Sequence, residues 1–296
     1  MKIISIGLPV FNGDNYLAAA IESLLAQSFE NFELIILDNA SSDGTEEICR
    51  KAAGLDDRIT YVRNGENIGA AKNFNKVFHL SNAQYFKWAA HDDICAPSFL
   101  EKALNALESD HSAVLAYPKT MVVDEISNRE YPYEVRLDTD GEYAPDRFAS
   151  LLVGHKCFEI FGLIRSNFLK QTKLIGDYVN GDGVLLAELS LVGKFIEIEE
   201  FLFFAYKHEI QSMSMLTDLE AFAEWFNPEK KWTGKIPYSF MYVEYAKAII
   251  RAQISWRLKK QCLARLYWSA KTRKKVFRKE MLNLLPLPKR TSSSQN

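Results

Sequence analysis

Cysteine is scarce in this sequence, and the few cysteines lie far apart. The 296 residues include only Cys49, Cys95, Cys157 and Cys262, with no CxxC pair among them. Zinc knuckles and disulfide scaffolds need cysteines at short spacings, so this spacing argues against both. Reduced thiols in a cytoplasmic protein are the simplest interpretation.

Long apolar runs are missing as well. No stretch approaches the roughly 18 uncharged apolar residues of a membrane-spanning helix, and residues 1–6 run straight into strand-like sequence. We therefore expect neither a spanning helix nor a signal peptide. The absence of GxxxxGK[ST], and of GxGxxG after the first strand, argues against a P-loop and a dinucleotide fingerprint.

Acidic residues are nearly absent from the C-terminal part of the chain. Residues 251–296 hold 13 Lys and Arg against the single acid Glu280, whereas the first 250 residues carry a net charge of −14. A basic tail on an acidic body indicates a polyanionic partner, with a merely solvated helix face as the alternative.

Apolar and aromatic residues interleave with these basic residues. Such a pattern on one helix suits the headgroup region of a bilayer, which predicts binding to an anionic membrane surface through residues 251–290. Packing on the rest of the chain or in a homodimer is the alternative. No nucleic-acid-binding motif is present. The interleaved residues are Trp256, Leu258, Leu263, Leu266, Tyr267, Trp268, Val276 and Phe277.

The first half of the sequence alternates short apolar runs with amphipathic segments. This alternation predicts βαβ units, an α/β fold and a mostly parallel sheet flanked by helices. The predicted strands are Ile3–Leu8, Phe32–Leu37, Ile59–Val62, Tyr85–Ala89 and Ala113–Tyr117. Pro97 is expected to open a helix after the fourth strand.

The second half gives a less regular pattern. Residues 124–160 are expected to include a loop over the sheet, and Phe195–Ile198 and Phe201–Tyr206 to form two strands. From about Asp218 the pattern is helical, with Trp225, Trp232, Trp256 and Trp268 in it. We predict one domain over residues 1–217 and a basic helical extension over residues 218–296, its last few residues disordered.

Polar clusters follow three of the predicted strands, where ligands bind in open parallel sheets. They are Pro9–Asn12, Asp38–Asn39 and His91–Asp93. Two adjacent carboxylates, Asp92 and Asp93, are tolerable beside a divalent cation such as Mg²⁺ or Mn²⁺. The alternative is that Asp93 caps the following helix.

The stretch from Ile3 to Leu17, continued by Ser23–Thr45, resembles family 2 glycosyltransferases, which are inverting, nucleotide-sugar-dependent enzymes of the GT-A fold. The resemblance continues through Asn67-Ile68-Gly69, Asn73 and His91-Asp92-Asp93, and then through Asp182 and Tyr206-Lys207-His208. It covers roughly residues 1–215 and implies a divalent metal, Mn²⁺ or Mg²⁺.

The resemblance also implies roles for single residues. It implies nucleotide binding by Pro9, Val10, Phe11, Asn12, Asp38, Asn39, Lys72 and Asp92, metal binding by Asp93 and His208, and contacts to the leaving diphosphate by Lys207 and His91. Asp182 matches the general base that takes the acceptor's proton, with helix capping from Val184 as the alternative.

Two positions depart from the family pattern. Asn39 stands where a second acid is usual, which leaves uridine, thymidine and guanosine diphosphate sugars open as donors. Ala90 stands where an earlier acid of the metal motif is common, which leaves fewer protein ligands for a cation.

The resemblance implies transfer of one sugar to a glycan or glycolipid hydroxyl in surface polysaccharide biosynthesis, in the cytoplasm or on the inner face of the plasma membrane. Gln253–Arg257 only superficially resembles the QxxRW of processive synthases. A nucleotidylyltransferase is an alternative, but it needs a glycine-rich basic loop after strand one. A catalytically inactive sugar-nucleotide-binding module is another.

Overall fold

The structure is a computed structural model that describes residues 2–209 and 236–283. Its strands are β1 (Ile4–Val10), β2 (Phe32–Asp38), β3 (Ile59–Arg63), β4 (Tyr85–Trp88), β5 (Ile94–Cys95), β6 (Ala113–Asp124), β7 (Arg129–Pro132), β8 (Leu163–Arg165) and β9 (Lys194–Lys207).

Helices flank these strands and follow them. They are α1 (Leu17–Leu25), α2 (Thr45–Leu55), α3 (Ala70–His79), α4 (Phe99–Ser109), α5 (Ala144–Ser150), α6 (Ser166–Leu169), α7 (Gly181–Val192), α8 (Pro237–Arg251), α9 (Trp256–Thr272) and α10 (Lys274–Asn283), with a 3-10 helix at Phe158–Phe161. No helix in the two described ranges is long and apolar enough to cross a membrane.

The strands form one sheet in the order β3-β2-β1-β4-β8-β6-β9-β5, and β7 pairs with β6. Strands β1 to β4 are parallel, β6 and β9 are parallel, and β8 runs antiparallel to both β4 and β6. Strands β1, β2, β4, β6 and β9 therefore all end at one side of the sheet, which we call the carboxyl edge. The predicted α/β fold with a mostly parallel sheet is confirmed.

Strand β1 lies inside the sheet and is buried at every residue from Ile4 to Val10. The sheet is covered on both faces, so its central strands are continuous apolar runs, as expected for buried parallel strands. A Cβ on Gly7 would lie 2.6 Å from the Phe86 ring and 2.8 Å from the Val77 side chain. The close contact of α3 with β1 therefore depends on that glycine.

The two strands predicted at Phe195–Ile198 and Phe201–Tyr206 are a single strand, β9. The register against β6 shifts between Pro118 and Lys119, which leaves Glu199 and Glu200 outside the regular pairing. Glu199 forms an ion pair with Lys119, and Glu200 with Lys102. The two acids between the predicted strands therefore belong to a bulge within one continuous strand.

The region 124–160 contains more structure than the predicted loop, namely β7 and the seven-residue α5. The buried Arg147 side chain holds the loop before α5, because it donates to the carbonyls of Gly141, Glu142 and Ser190 at 2.8 to 2.9 Å. Helix α5 is two turns long, too short to leave a clear periodic pattern. The helix expected to open at Pro97 begins at Phe99.

The predicted C-terminal helices are present as α8, α9 and α10. Helix α8 packs against α7, and α9 packs against α5 and α8. The predicted domain boundary at 217/218, Trp225, Trp232 and the terminal residues 284–296 lie outside the described residues.

Glu280 joins the last described helix to the start of α8. Its carboxylate is 4% exposed and accepts hydrogen bonds from the backbone N–H groups of Tyr238 and Ser239, at 2.7 and 2.8 Å, and from the Ser239 hydroxyl. The first N–H groups of a helix have no partner within the helix, and a negative charge there is stabilising. The only acid of the basic tail is therefore the N-terminal cap of α8.

Replacing Glu280 by Ala should lower the free energy of unfolding by about 1–2 kcal/mol, since two helix N–H groups lose their acceptor. Urea unfolding followed by circular dichroism measures the loss. Lys279→Ala is the control, because the exposed neighbour Lys279 lies on the same helix. Equal stability of the two variants would contradict the capping role.

Candidate active site

The loops that follow β1 and β2 are joined by hydrogen bonds between side chains and backbone. Asn12 N–H donates to Ser41 Oγ, Gly13 N–H to Thr45 Oγ1 and Ser42 N–H to Asn12 Oδ1, each at 2.9 Å. Each loop supplies acceptors to the other, so the two form one unit at the carboxyl edge.

Two non-glycine residues in these loops have left-handed backbone conformations, Asn12 with φ 51° and Ala40 with φ 63°. Such conformations cost free energy and persist only where the surroundings fix them. Here the joined loops fix them. The methyl side chain of Ala40 can form no hydrogen bond that would stabilise this conformation. The contacts between the two loops must therefore hold Ala40 in it.

The residues Pro9–Asn12, predicted to pack around a nucleoside, divide into two pairs. Pro9 and Val10 are buried within β1 and pair with β2, so their side chains do not face a ligand. Phe11 is 39% exposed and Asn12 is exposed too. Of the four, only Phe11 and Asn12 present side chains at the surface of the edge.

Asp38, at the end of β2, is fully buried and has protein partners on both oxygens. Oδ1 accepts from Ser41 N–H at 2.8 Å, and Oδ2 accepts from the Tyr61 hydroxyl at 2.9 Å and lies 3.1 Å from Arg63 Nε. In this arrangement Asp38 shapes the loop, and any contact to a base would replace one of these bonds.

Asn39 is also buried, and both the oxygen and the nitrogen of its side-chain amide form hydrogen bonds. Oδ1 accepts from Asn64 Nδ2 and from Ile68 N–H at 3.0 Å, while Nδ2 donates to Asn67 Oδ1 at 2.7 Å. The departure from the usual acid therefore has a structural reason here. An amide can donate to Asn67 while it accepts from two N–H groups, which a carboxylate cannot do.

Asp92 and His208 meet across the carboxyl edge, although 116 residues separate them. His208 Nε2 lies 3.1 Å from Asp92 Oδ2, and both side chains are almost buried. The ring of Tyr16 stacks on His208 at 4.3 Å between centroids, and its hydroxyl donates to Glu125 at 2.7 Å. This hydrogen bond to Glu125 is the main cause that raises the pKa of Tyr16 to about 12. These four residues join the ends of β1, β4, β6 and β9.

The pKa values of the adjacent carboxyl groups of Asp92 and Asp93 shift in opposite directions. Burial raises the pKa of Asp93 well above its usual value, and the neighbouring charge of Asp92 adds to the effect. Burial acts to raise the pKa of Asp92, but the hydrogen bond to His208 and the nearby His91 and His208 rings together outweigh it and lower that pKa. Of the two carboxyl groups, Asp92 is the one whose ionised form is favoured. Asp93 Oδ1 accepts from Tyr206 N–H at 3.0 Å. The next helix, α4, begins after Ser98, so the alternative that Asp93 caps it is wrong.

The residues at this edge fit a divalent cation that takes most of its ligands from elsewhere. No group of three or more His, Cys, Asp or Glu side chains that could hold a metal occurs within residues 2–209 and 236–283. The two donor atoms of Asp92 and His208 are 3.1 Å apart, close to the spacing of about 3 Å between neighbouring ligands of a small octahedral ion. His208 Nδ1 is buried and has no hydrogen-bond partner among the described residues, so Nε2, beside Asp92, is the ring nitrogen that faces the site.

The other predicted phosphate-binding residues differ in their surroundings. Lys207 Nζ donates to Asp124 at 2.6 Å, so its charge already has a partner. The His91 ring lies against the backbone of Gly13, where a Cβ would approach it to 2.6 Å. Lys72 is exposed on the first turn of α3 and makes no hydrogen bond or ion pair with another described residue.

Asp182 lies in the first turn of α7, and its Oδ1 accepts from Gly183 N–H at 2.8 Å. The helix begins at Gly181 after Asn180, whose φ is 66°, so the alternative that Asp182 caps a helix from Val184 is wrong. Burial raises the pKa of Asp182, and the Gly183 N–H and the charge of His155 oppose the shift only in part.

A buried pair of charged side chains lies behind Asp182. His155 Nδ1 is 3.2 Å from Glu159 Oε2, and both side chains are at least 96% buried. His155 lowers the pKa of Asp182 and Glu159 raises it. Cys157, between them with φ 57°, places its Sγ 3.7 Å from Asn180 Oδ1. This group does not contact Asp92 or His208. However, α7 leads directly into the start of β9, so its first turn lies toward the edge where β9 ends.

Sequence reasoning missed Tyr16, Glu125 and Lys87. Lys87 is fully buried in β4, with Nζ donating to the carbonyls of Phe161 and Trp88 at 2.5 and 3.1 Å, and burial lowers its pKa. A lysine in an otherwise apolar buried strand was a visible signal. Tyr16 and Glu125 meet over 109 residues of sequence, and no local pattern marks that contact.

Comparison with known proteins identifies relatives for the first half of the chain. The family model described as Glycosyl transferase family 2 matches residues 5–169, more than half of the chain. An uncharacterized glycosyltransferase of Rickettsia prowazekii, RP339, is 35% identical over 130 residues, which cover 44% of this chain and 40% of the relative. The putative glycosyltransferase EpsE of Bacillus subtilis is 34% identical over 127 residues, which cover 43% and 46%. The chain thus spans less than half the length of these curated relatives.

Two solved structures resemble nearly the whole chain. S. aureus TarS 1–349 in complex with UDP-GlcNAc has a TM-score of 0.68 and 17% identity, over 92% of this chain and 73% of that one. The mannosyltransferase PcManGT from Pyrobaculum calidifontis, in complex with GDP-Man and Mn²⁺, has a TM-score of 0.53 and 12% identity, over 96% and 86%. At these identities the likeness shows the fold, and it confirms the predicted GT-A architecture.

Replacing Asp182 by Asn should stabilise the protein near neutral pH. Because the pKa of Asp182 is raised in the folded chain, its ionised form costs stability above that raised pKa and costs nothing below the unfolded value. We expect the unfolding temperature to rise by roughly 2 °C at about pH 7, and the gain to shrink as the pH falls toward about 4.

Differential scanning fluorimetry over this pH range measures the effect, with Asp57→Asn as the control because Asp57 is exposed. An unfolding temperature at or below that of the parent protein near pH 7 would contradict the burial of an ionisable group at this position.

Proposed function

The chain belongs to glycosyl transferase family 2, and on that basis we propose that it transfers one sugar, with inversion, from a nucleoside diphosphate sugar to an acceptor hydroxyl. The observation that carries the proposal is the pair of opposite carboxyl environments at the carboxyl edge. Asp92 is held ionised beside His208, whereas burial raises the pKa of Asp182 toward the range useful for a general base.

Asp182 is the proposed general base. It takes the proton of the acceptor hydroxyl as that oxygen forms a bond to the anomeric carbon, while the bond from this carbon to the diphosphate breaks on the opposite face. The residue is partly buried between two glycines that pack closely against Gly176 and Asn180, so these glycines fix the first turn of α7 rather than leave room beside it. His155 and Glu159 sit behind it and contribute to its charge state.

Asp92 and His208 are the proposed ligands of a divalent cation, Mn²⁺ or Mg²⁺, with the donor's phosphates and water completing its shell. Such an ion neutralises the charge that develops on a leaving diphosphate. The family resemblance implies this role for Asp93 and His208. Asp93 is the more buried carboxyl of the pair, its pKa is raised and it accepts from the backbone of Tyr206, so Asp92 is the better candidate.

The nucleotide is proposed to lie over the joined loops after β1 and β2. There the exposed ring of Phe11 offers a face for a base, and Lys72 offers an unpaired positive charge. Asp38 and Asn39 are buried beneath this surface, and their hydrogen bonds fix the loops that form it. TarS has been solved with UDP-GlcNAc and PcManGT with GDP-Man, so uridine and guanosine donors both belong in a first binding panel, together with thymidine.

The proposed acceptor is a glycan or a glycolipid of a surface polysaccharide pathway, extended by one sugar per encounter. Residues 1–217 are the proposed catalytic domain. Release of nucleoside diphosphate during turnover supports sugar transfer, whereas pyrophosphate would indicate a nucleotidylyltransferase. The loop after β1, Phe11–Asp14, has none of the basic residues that the latter activity needs.

Asp182→Asn should lower kcat for transfer by about 10²–10⁴-fold and leave donor affinity unchanged, because an amide cannot accept the proton. Nucleoside diphosphate release, with extracted lipid-linked glycans as acceptors, gives the rate, and calorimetry gives the affinity. Asp57→Asn is the matched control. A variant that keeps more than about a tenth of the parent kcat would show that another residue is the base.

Asp92→Asn and His208→Gln should each remove most of the gain that Mn²⁺ gives to nucleoside diphosphate binding, by about 10-fold or more. Calorimetry with Mn²⁺ and with EDTA measures this gain. Asp93→Asn should have a smaller effect, and His79→Gln, an exposed histidine on α3, should have none. Equal weakening with and without Mn²⁺ would contradict a cation at Asp92 and His208, and a larger effect at Asp93 would restore that residue as the ligand.

A further inference from the structure

Helix α9 is amphipathic in an unusual way, because its outward face is both aromatic and basic. The 17 residues of α9 include no acid. Its inner side buries Cys262 and Leu266 against the core. On the opposite side Trp256, Tyr267 and Trp268 are 65%, 63% and 59% exposed.

Three basic residues share this outward side. At 100° per residue, the three aromatic and three basic side chains fall within about a third of the helix circumference. We call this set the α9 face, and its members are Trp256, Arg257, Lys260, Tyr267, Trp268 and Lys271. Lys271 Nζ also lies 4.6 Å from the centre of the Trp268 ring.

The basic residues of the C-terminal helices fall into two groups, those that contact other protein groups and those that are exposed without an ion pair. Four of them turn inward: Arg251 to Glu188, Lys259 to the Ile250 carbonyl, Arg265 to Asp146 and Arg273 to the Leu152 carbonyl. Seven others are exposed and form no ion pair within residues 2–209 and 236–283, namely Arg257, Lys260, Lys271, Lys274, Lys275, Arg278 and Lys279. Glu280, the only acid nearby, is buried as the cap of α8.

We propose that the α9 face, extended by the exposed basic residues of α10, binds the headgroup region of an anionic lipid bilayer. Exposed Trp and Tyr rings beside Lys and Arg match that region, where charged headgroups lie directly above apolar chains. The first 250 residues carry a net charge of −14, so an anionic surface repels the body and attracts only this side.

Two other partners fit the face less well. A second copy joined by a two-fold axis would bring the same seven unpaired positive charges together, which is repulsive. A nucleic acid would match the charge, but it gives no reason for three rings to lie along the outside of a single helix. Both partners are distinguishable outcomes of the experiment below.

The full-length protein should co-sediment at low salt with vesicles of phosphatidylcholine and phosphatidylglycerol, and should bind neither at high salt nor to phosphatidylcholine alone. Each basic residue near an anionic leaflet is worth about fivefold in binding, so Arg257→Gln/Lys260→Gln/Lys271→Gln should weaken binding by about a hundredfold. The matched control is Lys2→Gln/Lys51→Gln/Lys170→Gln, which makes the same charge change at exposed lysines elsewhere.

The rings are tested separately. Vesicles should shift the tryptophan emission to shorter wavelength, and Trp256→Phe/Trp268→Phe should lose that shift although it keeps most of the binding. Trp256→Gln/Trp268→Gln should bind more weakly, whereas Leu55→Gln/Val153→Gln, at exposed apolar residues elsewhere, should bind as the parent does.

Absence of vesicle binding at low salt by the folded protein would overturn the proposal, as would equal binding by the two triple variants. Binding to duplex DNA or RNA at the same salt, stronger than to vesicles, would assign the face to nucleic acid. A dimer that Trp256→Gln/Trp268→Gln dissociates, without vesicle binding, would assign it to a second copy. None of these measurements needs a sugar donor, so their failure is independent of the proposed transfer.

Discussion

The short strand β8 is the constraint on which the candidate site depends. It has three residues and separates β4 from β6, so it ends well below the carboxyl edge. The chain leaving β4 passes both β8 and β6 in the strand order and pairs with β9 as β5. Only this crossing brings Asp92 to His208 and Asp93 to the backbone of Tyr206. A longer β8 would keep these strand ends apart.

Several buried ionisable groups of this chain lower the stability of the fold. Asp93 and Asp182 are carboxyl groups whose pKa values are raised by burial, and Lys87 is a lysine with no exposure. His208 has a buried nitrogen with no partner within residues 2–209 and 236–283. Each would be poor in a core chosen for stability alone. Proteins depart from such local rules mostly where function requires it, so these buried groups mark the regions that hold them as candidates for the site.

The sheet was predictable because its strands are buried on both faces and read as apolar runs, as in β1 and β2. The clusters at Asp38 and at Asp92 could be placed at one edge for the same reason, because parallel strands end together. What could not be predicted depends on distant contacts. Glu125 comes to Tyr16 only when β6 and β1 share a sheet, and the bulge at Glu199 and Glu200 follows from the register against β6. The sequence also could not show that the amide of Asn39 is used within the protein, since its partners Asn64, Asn67 and Ile68 come from the loop after β3, 25 to 29 residues away.

The position of Glu280 has a consequence for the order in which the chain can fold during synthesis. Helix α8 begins at Pro237, but the carboxylate that satisfies its first N–H groups is made more than 40 residues later. Strand β9 likewise must enter the sheet beside β6 after almost all other strands have been made. The growing chain therefore holds an open sheet edge beside β6 until β9 has been made, and an uncapped α8 until Glu280 has been made. Both exposed features are sites for wrong pairing, so this protein has its greatest need of chaperones late in synthesis rather than early.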